Sequence, residues 1–424
     1  MKIKNSSIVK FILFAEIFIS TVSPKAFKIL TGYQGVYPNP NLIILPMLIF
    51  LLYNLGAFNK YTIFKNYKQL FLILLSLSAL YFISSFFAIL LIDLDNSYNP
   101  ILQSLRMTFV YVFLVPLFLL LKEEYVWFSI KSLIFIAIIH FLFFLHGLLA
   151  FFNVFPISDE FLEIVKKDIL GQSWTMIGFI PKWRGLFEET QLFATFNFIS
   201  SFLSFQLYKK YGYKLYFMLS ILFFLFSVYL FSKGTILSIL IFFGFIFFKK
   251  FRIKPLLFRY IITFTIFISI GFTFFHTAIS LEKEQFSNIY EAGVESAASF
   301  GERIYHVLKT LEINTEILYS FFIGIGPRTY GSILYREYPW RFNPDSNAVS
   351  FFTVFQDIGI VGFILTLIVI FLLINNSKIM KIRVFFISIL IGYSLQMSWG
   401  HPIMLIIFVL LSKLGRLVNE KALY

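Results

Sequence analysis

The stretch Val126–Phe152, VWFSIKSLIFIAIIHFLFFLHGLLAFF, carries one charged residue, Lys131, in 27 positions. A bilayer crossing takes roughly 20 apolar residues, so the stretch reads as a transmembrane helix. Eleven further apolar runs flank it, at Ile8–Val22, Leu42–Leu55, Leu70–Ile92, Met107–Leu121, Leu192–Leu207, Leu215–Phe231, Ile236–Phe248, Tyr260–Phe275, Phe351–Ile374, Val384–Met397 and Ile403–Leu411. The whole chain agrees: of 424 residues 59% are hydrophobic, 21% are aromatic with 60 Phe, and only 14% are charged. Mean hydropathy is +0.83. A soluble domain has about 45–50% apolar and about 25% charged residues, which excludes that class here. The expected fold is all-α: one polytopic integral membrane domain over residues 1–424 with about 12 transmembrane helices. The last two runs are separated only by Ser398-Trp399-Gly400-His401-Pro402. The first run follows Lys2 and Lys4 and lacks a small-residue cleavage site, so a retained signal-anchor helix is expected. Cysteine is absent, which excludes disulfides, thiol catalysis and cysteine metal ligation.

Charge sets the expected orientation. Alternate connections are basic: Lys2, Lys4 and Lys10; Lys60, Lys65 and Lys68; Lys122; Lys209, Lys210 and Lys214; Lys249, Lys250, Arg252, Lys254 and Arg259; Lys378, Lys381 and Arg383; Lys413, Arg416 and Lys421. These 21 of the 36 Lys+Arg meet only three acids, Glu123, Glu124 and Glu420, a net +18, while the other 15 basic and 19 acidic residues net −4. The positive-inside rule then puts both termini in the cytoplasm. Insertion and anionic lipid account for the overall +14, so nucleic acid is not an expected partner. Two long segments, 153–191 and 276–347, fall outside the cytoplasmic membrane, and the chemistry is expected in them. The second holds Ser299-Phe300-Gly301-Glu302, a capping-box pattern, followed by apolar Ile304, Val307, Leu308, Leu311 and Leu318 at helical spacing.

Several residues in these segments suit an anionic or sugar ligand, and each has a plainer reading. Arg184 could grip a phosphate or diphosphate with its planar fork, and Glu188 or Glu189 could serve as a base or orient a hydroxyl. Acids in a first helical turn also simply complement the dipole. Gly324-Ile325-Gly326-Pro327-Arg328-Thr329-Tyr330-Gly331 could cradle phosphate on its backbone N–H groups, or be a plain turn. Tyr338-Pro339-Trp340-Arg341-Phe342-Asn343-Pro344-Asp345-Ser346-Asn347 mixes aromatics, Arg and a carboxylate as a carbohydrate surface does, though interfacial aromatic belts look similar. Lys233 is a cation on the side expected to lack them, with snorkelling as the alternative. Glu16 and Lys131 are candidates because they are ionisable residues in or near apolar runs, with pairing or snorkelling as the alternative. Asp93-Leu94-Asp95 reads as a solvated helix end. The five His have no metal-ligand spacing, and neither a metal nor another cofactor is expected.

In order, these pieces resemble the bacterial O-antigen polymerases of the Wzy type, within the superfamily that includes the O-antigen ligases. Arg184-Gly185-Leu186-Phe187-Glu188-Glu189 with Leu192-Phe193-Ala194 is similar to the family's R-x-G-x-F-x-E-P stretch. Ser232-Lys233-Gly234 is similar to its S-R-[TG]. Ser299, Arg303, Leu311, Gly324-Ile325-Gly326 and Asp345-Ser346-Asn347, then Gln356-Asp357-Ile358-Gly359-Ile360-Val361-Gly362, follow its large outer loop and next span. Thr190 replaces a frequent Pro, Lys233 a usual Arg, and Ser346 the His typical of ligases, which favours a polymerase. The resemblance implies a GT-C-like membrane fold and metal-independent glycosyl transfer between undecaprenyl-diphosphate-linked oligosaccharides, on the outer face of a bacterial inner membrane. Arg184 and Arg303 would stabilise the departing diphosphate, supported by Lys233 and Arg328. Asp345 or Glu188 would act as base, with His306 a further candidate, and Glu189, Ser346, Asn347, Tyr330 and Arg341 would contact substrate. Membrane lipid, a chain-length regulator and a flippase are the remaining expected partners. A ligase or a lipid-linked oligosaccharide transporter are the competing readings.

Overall fold

A computed structural model of the chain describes residues 5–22, 40–58, 63–92, 98–152, 154, 186–187, 190–230, 232–250, 310–314, 318–327, 329–337, 350–394 and 401–417. These residues are mostly helical, with no strand among them beyond a single antiparallel bridge between Phe58 and Leu121. The helices are α1 (Asn5–Thr21), α2 (Pro40–Asn54), α3 (Ile63–Leu91), α4 (Tyr98–Thr108), α5 (Val115–Leu120), α6 (Glu123–Phe151), α7 (Thr190–Tyr211), α8 (Lys214–Tyr229), α9 (Lys233–Lys250), α10 (Leu318–Ile323), α11 (Thr329–Glu337), α12 (Ser350–Asn376), α13 (Met380–Ser394) and α14 (Pro402–Leu417).

Four helical stretches among the described residues are long and apolar enough to cross a membrane: Tyr67–Leu91, Pro100–Leu120, Glu123–Phe151 and Thr353–Asn376. They answer the runs expected at Leu70–Ile92, Met107–Leu121, Val126–Phe152 and Phe351–Ile374. Lys214–Tyr229 and Gly234–Phe247 are apolar but shorter. Pro100–Leu120 is composite, because α4 passes into α5 through a π-helical segment, Phe109–Leu114, where the Val115 N–H bonds to the Val110 carbonyl. Pro116 lies in the first turn of α5 and brings no N–H to the ladder, a local cause for the change of register. The run Tyr260–Phe275 and the capping box Ser299–Glu302 lie outside the described residues.

Packing explains how short helices persist. α14 is buried on all sides, Ile403 through Leu411 showing at most 1% exposure, so it needs no polar face. α12, α13, α5, α6 and α1 surround it. Elsewhere polar side chains bridge helix pairs, as they do where apolar matching alone gives little specificity. The Thr195 and Thr235 hydroxyls meet at 2.9 Å between α7 and α9, and the Ser201 hydroxyl donates to the Ser220 carbonyl at 2.7 Å between α7 and α8. At one end of the bundle, cations sit on helix C-terminal carbonyls, where the dipole favours them. Lys413 donates to the Leu119 and Leu121 carbonyls at 2.8 and 2.5 Å, and Arg416 to the Asn376 carbonyl at 3.1 Å. The outward faces carry exposed Phe50, Leu72, Phe86, Leu90, Phe135, Leu225 and Phe371, a lipid-compatible surface.

Candidate functional site

Two motifs more than thirty residues apart in the sequence interlock at the end of the bundle opposite Lys413. α12 is not continuous: Ile358 (φ −132°, ψ 18°) and Gly359 (φ 65°, ψ −169°) leave the helical region. The break strips two carbonyls of their partners four residues on, and the Gly324-Ile325-Gly326 turn supplies replacements. Ile325 N–H donates to the Gln356 carbonyl at 2.8 Å and Gly326 N–H to the Asp357 carbonyl at 3.2 Å. The Ser84 hydroxyl of α3 donates to that same Asp357 carbonyl at 2.5 Å. Irregular backbone at membrane depth is tolerated where such partners re-satisfy it.

The fit is tight in both directions. A Cβ on Gly324 would lie 2.3 Å from the Asp357 carbonyl, and one on Gly359 would lie 2.3 Å from the Phe322 carbonyl. Gly324 also bonds its own N–H to the Ser320 carbonyl at 2.8 Å. The backbone N–H groups of Gly324, Ile325 and Gly326 are therefore all engaged within the protein. Of the two readings left open for this turn, phosphate cradle or plain turn, these bonds favour the plain turn, because two of the donors hold the broken α12 and the third bonds Ser320.

The lock gathers polar side chains that a uniformly apolar span would not hold. Gln356 is fully buried and Asp357 is 5% exposed, with the Gln356 amide 3.4 Å from the Asp357 carboxylate. Tyr81 of α3, its ring centroid 6.1 Å from that of Tyr111 in the π segment, lies within electrostatic reach of Asp357. Ser104 bridges the same helices, donating to the Tyr81 carbonyl at 2.7 Å and meeting Ser85 at 2.6 Å. Arg106, five residues before Tyr111, acts on the His401 imidazole just ahead of α14. Burial, and then the Arg106 charge, lower the His401 pKa to about 3, so it is neutral at physiological pH. A buried carboxylate, an amide and two phenols thus gather beside unwound backbone, a set suited to holding hydroxyl-rich substrate groups. Arg106 and Asp357 were not among the expected site residues. The available signal was Arg106 lying, like Lys233, on the cation-poor side.

The other two motifs also meet. Phe187 is fully buried, its ring centroid 4.4 Å from that of His140 and 5.1 Å from those of Phe193 and Phe196. His140 in turn bonds the Thr21 hydroxyl at 2.8 Å. Phe187 is thereby an anchor that pins the segment leading into α7. The Thr195–Thr235 bond brings the start of α9, and with it the backbone of Ser232-Lys233-Gly234, beside α7. Tyr330 is fully buried in a small cluster with Ile313 and Ile325, so here it packs the turn. Arg184, Glu188, Glu189, Arg303, His306, Arg328, Arg341, Asp345, Ser346 and Asn347 lie outside the described residues. Neither a family model nor a curated protein matches the chain.

Proposed function

We propose that this chain polymerises undecaprenyl-diphosphate-linked oligosaccharide repeat units into O-antigen or a related surface polysaccharide. It acts by metal-independent glycosyl transfer at the outer face of the bacterial cytoplasmic membrane. It does so as a bundle of about twelve spans with cytoplasmic termini and outer segments 153–191 and 276–347. The observation that carries the reading is the interlock: Gly324-Ile325-Gly326 and Asp357-Ile358-Gly359, both pieces of the resemblance, are joined by backbone bonds beside a buried carboxylate.

In the reaction the bond from the growing chain's anomeric carbon to its lipid diphosphate breaks. An acceptor hydroxyl oxygen forms the new glycosidic bond, and its proton passes to Asp345 or Glu188, with His306 as the further candidate. Arg184 and Arg303, supported by Lys233 and Arg328, stabilise the charge that develops on the departing diphosphate. Glu189, Arg341, Ser346 and Asn347 orient sugar hydroxyls. Asp357 and Arg106 extend this set from the membrane side, and Tyr330 acts by holding the turn.

The test is the polysaccharide ladder of a deletion strain. Restoring the wild-type gene rebuilds the ladder, whereas Arg184→Ala with Arg303→Ala leaves a single repeat on its acceptor. A full ladder from that double variant overturns the mechanism. Polymer retained on undecaprenyl diphosphate with a bare acceptor identifies a ligase instead. The break in α12 also favours a second reading, since transporters build substrate sites on discontinuous helices. That reading requires unpolymerised lipid-linked repeats to accumulate on the cytoplasmic face of the deletion strain, and the polymerase reading on the outer face.

A further inference from the structure

A cavity of about 530 Å³ opens between the starts of α1 and α6 and the end of α7, away from the interlocked turn. Its walls are Lys10, Glu123, Glu124, Trp127, Phe128, Lys131, Lys210 and Tyr211. We propose that this cavity binds the phosphate of a membrane phospholipid headgroup on Lys10, Lys131 and Lys210.

The three ammonium groups are held by aromatic faces. Lys210 Nζ lies 3.5 Å from the Trp127 ring centroid and 5.4 Å from that of Tyr211, Lys131 Nζ lies 4.4 Å from Tyr211, and Lys10 Nζ lies 5.9 Å from Phe128. A ring face fixes a cation by its quadrupole while its N–H donors stay available to a further partner. Two of these cations converge on the one Tyr211 ring. Partial burial lowers Lys210 below the ordinary lysine value, Glu123 opposes the shift and the Lys131 charge adds to it. An anion between Lys131 and Lys210 would relieve that crowding. Two carboxylates share the wall: Glu123 acts on Lys210 and also accepts from Trp127 Nε1 at 3.2 Å, and Glu124 lies beside Tyr125, leaving the three lysines in excess. Trp127, 5% exposed, makes the floor.

Depth distinguishes a lipid from a soluble phosphate. Lys131 stands eight residues into α6, so the cavity wall runs about 12 Å along the helix, at roughly 1.5 Å per residue, from Glu123 to this cation. Phe135 and Leu142 follow on the face of Lys131 and are 54% and 57% exposed, and Phe11, next to Lys10, is 71% exposed. A headgroup phosphate among the lysines would continue directly into acyl chains along this apolar stripe. Basic pockets between helices on the side that the charge rule assigns to the cytoplasm suit such headgroups.

The experiment is native mass spectrometry of the purified full chain with phosphatidylglycerol and, separately, glycerol phosphate at equal concentration. Wild type should retain the lipid, and glycerol phosphate should not displace it. Each lysine removed should cost about five-fold in retention, and Lys131→Gln with Lys210→Gln about twenty-five-fold. Lys10→Gln, at an exposed position, provides the same readout should the double variant fold poorly. Retention unchanged in Lys10→Gln and in the double variant overturns the proposal. Displacement of the lipid by glycerol phosphate overturns it in favour of a soluble phosphate site.

Discussion

Gly359→Ala should undock the 324–327 turn, and the structure sets the scale. The backbone at φ 65°, ψ −169° is open essentially to glycine alone, and a side chain there costs about 1–3 kcal/mol. The new Cβ would meet the Phe322 carbonyl at 2.3 Å, more than about 1 Å inside ordinary contact, and a backbone carbonyl has no rotamer through which to retreat. α10 and the turn must therefore move, weakening the Ile325–Gln356 and Gly326–Asp357 bonds. Each buried group left unpaired costs about 1–3 kcal/mol, so the total is about 5 kcal/mol. Gly212→Ala is the matched control, because Gly212 also has positive φ, 74°, yet nothing lies within 4 Å of its Cβ position. That substitution should cost about 1–2 kcal/mol. The chain has no cysteine, so Ile325→Cys places a single thiol at a fully buried point of the turn. Maleimide labelling of that thiol measures the open population. It should rise by about 4,000-fold with Gly359→Ala and little with Gly212→Ala, since each 1.4 kcal/mol is roughly ten-fold. Equal labelling in the two backgrounds would refute the interlock.

Lys413→Met should lower the thermal unfolding midpoint in detergent, because it strips the Leu119 and Leu121 carbonyls of their cation, at a cost of about 2–3 kcal/mol. Acid should destabilise the fold through His401. Its pKa falls from 6.5 unfolded to about 3 folded, so its contribution is complete above pH 6.5 and is lost as pH falls toward 3. His401→Gln should flatten that part of the stability profile, and an unchanged slope counts against the assignment. Asp357→Asn keeps the carbonyl that the turn grips but removes the carboxylate. It should shorten the polysaccharide ladder while leaving Ile325→Cys labelling at the wild-type rate.

Long helices were readable because a span's length and apolarity are local properties. Val126–Phe152 and Glu123–Phe151 differ by a turn at most. The π segment at Phe109–Leu114 was not readable, since the run around Pro116 stays apolar whatever hydrogen-bond register it adopts. The break at Gly359 was hidden for the same reason: glycine there permits positive φ, but only the arriving turn demands it. The motif Gly324-Ile325-Gly326 was recognised, yet ligand cradle and plain turn stayed equally open, because the partners of two of its donors lie on another helix. Phe187 stood inside a quoted motif as one more aromatic, and its role as anchor depends on His140, Phe193 and Phe196 closing around it.

The bond from Ser84 to the Asp357 carbonyl spans 273 residues of chain. At roughly 5–20 residues per second of synthesis, α3 exists for about 15–55 s before its acceptor is made. A serine hydroxyl that lacks such an acceptor has the carbonyls of its own helix as the alternative. The polar centre is thus a late product of synthesis, completed only when α12 has been made and the turn closes on it. A chain halted before residue 357 would contain α3 and the turn but not the carbonyls that join them. Quality control that samples exposed polar backbone could distinguish such a chain from a finished one at this single joint.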